Sequence, residues 1–118
     1  MSLLPNFENA LIPMEKITDY ALNSERNLDK ALAFKLALGY TESSAGWLVR
    51  SIRQNLGLFE ALSKGNNGYG ERFQCIMTIV GPNTKSANVL TGWIIENGTD
   101  FPRLTSVYVT NKKARRLM

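Results

Sequence analysis

The sequence of 118 residues contains no histidine and a single cysteine. Without histidine the chain lacks imidazole, the usual general acid or base near neutral pH, so any catalysis must use other groups. One cysteine cannot form an internal disulfide, fits no zinc framework by itself, and lacks the histidine that activates a cysteine nucleophile. Cys75 falls in the apolar run 73–80, which predicts a buried structural thiol. We expect neither a metal nor a cofactor.

Long hydrophobic runs are also missing. No stretch predicts a membrane segment, and the first eight residues lack the basic start and apolar run of a signal peptide. We therefore expect the protein to act in the cytoplasm, either directly or after delivery as part of a larger protein. A hydrophobic content of 44% with 20% charged residues is ordinary for one globular domain.

The positive charge is concentrated at one end of the chain. The net charge is +4, yet residues 1–111 hold ten basic and ten acidic side chains, and the tail 112–118 supplies four more basic ones. We therefore predict a single domain over 1–111 followed by a basic tail over 112–118. Two interpretations of this tail stay open: a solvated, frayed terminus, or a segment that adds nonspecific affinity for phosphate.

Helical patterns fill the first half of the chain. A first helix is predicted from Pro13 to Asn23, with its apolar residues on one face. A second covers 28–38, ends at Gly39 and is apolar almost all round, so we expect it to be the central buried helix. Lys30 interrupts it, either reaching solvent along its own stem or serving a function. A third helix covers 43–56.

The second half of the chain alternates like a sheet. Four strands are predicted at 59–62, 72–80, 87–96 and 104–109, joined by Gly-, Asn- and Pro-rich turns. Short connections make them an antiparallel meander, and the glycine-rich segment 65–70 is predicted to be a hairpin loop. The fold class is therefore α+β, with three N-terminal helices packed on one face of a four-stranded sheet. The oligomeric state is open, because either edge strand can pair with another chain or be covered by a loop.

Strand alternation leaves the solvent-facing side undecided. It places Thr91 and Trp93 on one side of the third strand, and Arg103, Thr105, Val107 and Val109 on one side of the fourth. Thr91 and Trp93 are either site residues or core residues with a satisfied hydroxyl and indole. Ser106 and Tyr108 share the opposite side of the fourth strand.

Several motifs along the chain resemble the C-terminal toxin domains of bacterial contact-dependent inhibition proteins, other polymorphic toxins and phage MuF-type fusions. The motifs are IPMEKITDYALN (12–23), DKALAFKLALGY (29–40), NNGYGERF (66–73), GPNTKSANVLTGWI (81–94) and PRLTSVYV (102–109). The resemblance implies a BECR-type fold (barnase, EndoU, colicin, RelE), a metal-independent ribonuclease activity and a cognate immunity protein. Many relatives carry a His-Pro-x-Gly segment before the Lys-Ala pair, where this chain has the shortened loop 25–29.

Two functional hypotheses follow. In the first, the chain is a toxin domain that cleaves RNA, with tRNA the expected substrate, through attack by the ribose 2′-hydroxyl. Cationic stabilisation of the phosphorane then carries most of the chemistry. The second is a noncatalytic binding module that descends from the same fold and engages a host protein or an RNA. Candidate phosphate contacts are Lys30 and Arg103, with Arg72 in reserve. Thr91, Thr105 and Tyr108 are candidates to orient the phosphate or the 2′-hydroxyl, and Tyr69, Trp93 or Tyr108 to stack a base.

Overall fold

The computed structural model describes residues 2–117 of the chain. Its helical segments are a 3₁₀ turn at Phe7–Asn9, a π-helix at Lys16–Ala21, α1 at Leu28–Leu38, a 3₁₀ turn at Glu42–Ser44 and α2 at Ala45–Leu56. Its strands are β1 at Ala61–Asn66, β2 at Gly70–Val80, β3 at Ser86–Glu96 and β4 at Arg103–Thr110. The strands form one antiparallel sheet in the order β1-β2-β3-β4. The α+β class and the meander are confirmed.

The helices pack on one face of this sheet, which we call the core face. Its buried side chains from β2 and β3 are Phe73, Cys75, Met77, Ile79, Val89, Thr91 and Trp93. They meet Phe34 and Leu38 of α1 and Leu48 and Ile52 of α2 in one cluster. No helix of residues 2–117 packs on the opposite face, which we call the outer face. Across residues 2–117, no helix is long and apolar enough to cross a bilayer.

Helix α1 has the predicted bounds but not the predicted environment. Gly39 ends it with φ 81° and donates its backbone N–H to the Lys35 carbonyl at 2.9 Å, as expected for a left-handed C-cap. The expectation of a central buried helix is wrong, because Leu28, Leu32 and Leu36 are 58%, 45% and 66% exposed. Helix α1 contacts β3, β4 and the π-helix, and these three leucines remain exposed to solvent.

The first predicted helix is shorter than expected and has a different register. After Met14 and Glu15, the chain forms the π-helix Lys16–Ala21, and the Leu22 N–H donates to the Ile17 carbonyl at 2.9 Å. This five-residue spacing brings Ile17 and Leu22 into the core together, while Met14, expected on the buried face, is 45% exposed. The wider π-helical turn therefore buries a different set of residues from the α-helical face predicted from the sequence.

Both ends of the chain pair with the residues at the start of β1, the edge strand of the sheet. Strand β1 begins later than predicted, and Phe59 instead forms an antiparallel bridge with Arg116. Backbone N–H groups of Glu60 and Leu117 donate to Arg115 and Leu58 carbonyls, both at 2.8 Å. We call residues 112–117 the C-terminal strap. Because the strap is hydrogen-bonded in this way, the interpretation as a frayed terminus is corrected.

Substitution of Gly81 by alanine is expected to lower the free energy of unfolding by about 1–3 kcal/mol. Gly81 follows β2 and lies against the end of α1, where an added β-carbon would overlap the Leu38 carbonyl oxygen. Urea unfolding measures the effect. Gly46→Ala is the control, because nothing lies within 4 Å of its added β-carbon and alanine favours a helix interior by about 0.5–1 kcal/mol. Equal stability of Gly81→Ala and the wild type would contradict the close approach.

Candidate functional site

A β-bulge in β4 determines which side chains reach the outer face. The pairing of β3 with β4 shifts between Gly92 and Trp93, which leaves Thr105 as the extra residue. Leu104 and Val107, on either side of the bulge, are both buried, whereas Thr105 is exposed and Ser106 is partly exposed. A bulge directs two successive residues to one side. Thr105 and Ser106 therefore both point outward, and strict alternation, which separated them, fails here.

Gly92 makes room for the two hydroxyl groups. A β-carbon at Gly92 would overlap the Ser106 hydroxyl and lie 3.3 Å from the Thr105 hydroxyl. The notch over Gly92 thus holds two neighbouring oxygens that can each donate and accept a hydrogen bond.

A cleft lies beside this notch, at the edge of the sheet. It encloses about 200 Å³ and is lined by side chains from the π-helix, from α1 and its preceding loop, and from β4: Lys16, Tyr20, Asn27, Lys30, Thr105 and Ser106. We call this the edge cleft. The Nζ of Lys30 lies 5.1 Å from the centre of the Tyr108 ring, a cation–π contact. Three predicted site residues, Lys30, Thr105 and Tyr108, are therefore brought together.

Further cations surround the cleft in positions that the sequence analysis missed. The Nζ of Lys16 and the guanidinium carbon of Arg26 lie 5.2 and 5.7 Å from the centre of the Tyr20 ring. Neither residue has a distinctive sequence context, since the π-helix that presents Lys16 was not predicted. Together with Lys30, they make the cleft positively charged although residues 1–111 are electrically balanced.

Two arginines extend the positive surface along the outer face. Arg72 and Arg103 both pair with Ile94, from opposite sides, so they flank it in one row of the sheet. With strands about 4.8 Å apart, their Cα atoms lie roughly 10 Å from each other. Arg103 donates its Nε–H to Glu96 Oε1 at 3.0 Å, and Arg72 donates from Nη2 to the Lys64 carbonyl at 3.2 Å. The Glu96 pair leaves both Nη groups of Arg103 without a hydrogen bond to any residue in 2–117.

Burial corrects the site assignment of Thr91 and Trp93. Thr91 is 0% and Trp93 1% exposed. The Thr91 hydroxyl donates to the Cys75 carbonyl at 2.7 Å and accepts the Trp93 indole N–H at 2.8 Å. This chain of bonds satisfies both polar groups inside the core, so neither side chain contacts a phosphate or stacks a base. Of the two interpretations of Thr91 and Trp93, the structure therefore supports core residues whose polar groups are hydrogen-bonded.

Tyr69 is available for stacking but stands apart from the cleft. It is 76% exposed at the tip of the β1–β2 hairpin, which confirms the glycine-rich segment as a hairpin loop. Its carbonyl accepts the Asn97 N–H from the β3–β4 turn at 2.8 Å. It therefore lies at the end of the sheet that carries Arg72 and Arg103.

The match to a known family covers nearly all of this architecture. A family model described as a domain of unknown function, DUF6883, matches residues 3–111. The chain belongs to the DUF6883 family. No curated protein and no solved structure matches it. The DUF6883 match includes the edge cleft and both arginines, while the C-terminal strap lies beyond its last residue.

The buried Cys75 of the DUF6883 domain is expected to make the free energy of unfolding depend on pH. Burial raises the pKa of its thiol from 9.0 to about 12, against a smaller lowering by the neighbouring Thr91 side chain. As pH rises above 9.0, the unfolded thiol ionises while the buried thiol stays neutral, so its contribution to stability is complete below 9.0 and is lost towards 12. The free energy of unfolding is therefore expected to fall more steeply for the wild type than for Cys75→Ala over this range. Parallel urea curves for the two proteins at alkaline pH would contradict this.

Proposed function

We propose that the DUF6883 domain is a metal-independent endoribonuclease-type toxin domain that acts on tRNA or another RNA. The observation that carries the proposal is the edge cleft, where the β4 bulge sets two hydroxyls beside Lys30 and Tyr108. A cleft lined by cations, hydroxyls and aromatic rings offers a phosphodiester its charge partners and a base its stacking surface. The toxin-domain resemblance, and the BECR-type fold that it implies, support the same proposal.

The proposed reaction uses the RNA's own nucleophile. The ribose 2′-oxygen bonds to phosphorus, its proton passes to solvent, and the bond to the 5′-oxygen of the next nucleotide breaks. That leaving oxygen takes a proton from Lys30 or from water. The products are a 2′,3′-cyclic phosphate and a free 5′-hydroxyl. Lys30 and Arg103 stabilise the negative charge that builds up on the phosphorane oxygens, and Thr105, Ser106 and Tyr108 hold those oxygens by hydrogen bonds.

The proposal includes partners and a place of action. The substrate RNA is cytoplasmic, and a cognate immunity protein neutralises the domain in the cell that makes it. These expectations come from the resemblance, and the positive edge cleft suits an acidic neutraliser as well as RNA.

The proposal is tested by incubating purified protein with total tRNA in the presence of a chelator and resolving the products on a denaturing gel. Discrete fragments are expected, with 5′ ends that a kinase labels without prior phosphatase treatment and 3′ ends that resist ligation until the cyclic phosphate is opened and the resulting phosphate is removed. Intact tRNA after incubation with folded protein at high concentration would refute the tRNA substrate. Fragments that form only when the chelator is omitted would refute a metal-independent reaction.

The second candidate is a noncatalytic RNA-binding module. The observation that favours it is the Arg103–Glu96 ion pair. This pair occupies one N–H of the guanidinium group, and the chain has no imidazole to act as the acid or base. A gel-shift assay separates the candidates: a salt-sensitive complex with intact RNA supports the binding module, and cleavage supports the ribonuclease.

A further inference from the structure

A second cavity lies on the outer face, next to the C-terminal strap. It encloses about 170 Å³, and its walls include Glu60, Gln74, Leu62 and Ile76. Glu60 is 9% exposed, and its Oε2 atom is buried without a hydrogen-bond partner. Within residues 2–117 it is the one buried side-chain oxygen or nitrogen in that condition. We call this cavity the strap pocket.

The unpartnered oxygen points to a missing donor. A buried carboxylate is costly unless N–H or O–H groups replace the water it has lost. The protein brings cations to the same cavity, namely Lys64, Lys112, Lys113 and Arg115. None pairs with Glu60, since the single ion pair in the described chain joins Arg103 to Glu96. The strap pocket thus offers an acceptor in its wall and positive charges around it.

The walls restrict the shape of the occupant. At about 30 Å³ for each water, 170 Å³ is room for five or six water molecules, which suits a small ring better than a single ion. Leu62 and Ile76 supply apolar contact surface, and Gln74 adds an amide. An occupant therefore needs a flat body, an N–H donor for Glu60 and an anionic group for the lysines and Arg115.

We infer that the strap pocket binds a nucleotide whose base carries an exocyclic amino group, with its phosphate towards the strap cations. This inference rests on the proposed function, because it gives the RNA-directed domain a preference for certain bases. The amino group of such a base donates to the Glu60 carboxylate in the pocket wall, as carboxylates accept from the cytosine amino group elsewhere. Uracil presents a carbonyl oxygen at the corresponding ring position, so it places an acceptor against the Glu60 carboxylate and supplies no donor at that position.

The test is the binding of cytidine and uridine 3′-monophosphates to the wild-type protein by titration calorimetry or chemical-shift perturbation. The two differ in one group, amino or carbonyl, at the same ring position. Cytidine monophosphate is expected to bind at least about tenfold more tightly, because a site built to receive a donor rejects an analogue that lacks it. Equal affinities, or no binding of either nucleotide at millimolar concentration, would overturn the inference.

Glu60→Gln tests the residue itself. A carboxamide presents both a donor and an acceptor, so the preference for cytidine is expected to fall to about twofold or less. Glu42→Gln is the matched control: it makes the same change at an exposed position outside the strap pocket and is expected to keep the preference. An unchanged preference for cytidine in Glu60→Gln would overturn the assignment. So would a less stable Glu60→Gln variant that binds neither nucleotide, because Glu60 would then serve the fold alone.

Failure here is distinguishable from failure of the proposed function. Mononucleotide binding requires no cleavage, so a cytidine preference with intact tRNA would refute cleavage of tRNA and keep the strap pocket. Cleaved tRNA with equal affinity for the two nucleotides would do the reverse.

Discussion

Arg103→Ala is expected to reduce the rate of RNA cleavage by about 100- to 1,000-fold, the range found when one group that stabilises a charged transition state is removed. Arg103 lies two residues before Thr105 on the same face, and its Nη groups are not used by the fold. Its partner Glu96 is 45% exposed. Losing so exposed an ion pair costs about 0–1 kcal/mol, so the variant is expected to unfold cooperatively near the wild-type denaturant concentration.

Lys30→Ala extends this prediction to the other side of the edge cleft, and we expect it to reduce the cleavage rate by a similar factor. Lys85→Ala is the control, because it removes the same charge from the β2–β3 turn, at the end of β2 away from Arg72. Single-turnover rates on a labelled tRNA distinguish lost transition-state stabilisation from weaker binding. If Lys85→Ala reduced the rate as much as the other two, the effect would be general electrostatic attraction and not the cleft.

The largest expected effect on stability comes from Trp93→Ala, which should lower the free energy of unfolding by about 3–5 kcal/mol. Trp93 is the largest fully buried side chain of the described chain. Its removal leaves a cavity opposite Leu104, and it takes away the donor bound to the Thr91 hydroxyl. Denaturant unfolding followed by circular dichroism measures the change.

Thr91→Val separates the polar part of this contribution from the packing part. Valine keeps the shape but leaves the Trp93 indole N–H and the Cys75 carbonyl without their side-chain partner, at a cost of about 1–3 kcal/mol. A Thr91→Val protein as stable as the wild type would mean that the hydrogen-bond chain contributes nothing net. If Trp93→Ala lowered cleavage without lowering stability, the assignment of Trp93 to the core would be wrong.

Local patterns predicted the elements well where one periodicity held throughout. Helix α1 has the predicted bounds because strong helix formers end at a glycine that adopts the left-handed conformation. Strands β2 to β4 lie within two residues of their predicted bounds because apolar residues alternate along them. Strand β1 was misplaced because Ser63 to Asn66 are polar and exposed and so show no apolar alternation. They pair with β2 through the backbone, and Ser63 also donates its hydroxyl to Glu71 Oε2 at 2.9 Å.

The candidate site depended on features that a sequence pattern does not carry. The bulge at Thr105 adds one residue to β4, and the two-residue period cannot show where that residue is inserted. The burial of Thr91 and Trp93 depends on which face the helices choose, and either choice fits the alternation. The strap is basic and would be expected in solvent, yet backbone hydrogen bonds to residues 58–60 decide its position.

Those same pairings determine how the molecule responds to force. The Ser2 carbonyl accepts the Ala61 N–H at 2.9 Å, and the strap pairs with the residues just before Ala61. Both ends are therefore attached to one short segment. Tension applied between them loads these few hydrogen bonds first, and the central β2–β3 pairing is not in line with the pull. In a single-molecule stretching experiment, we expect an early, low-force release of the ends followed by a separate, higher-force rupture of the sheet.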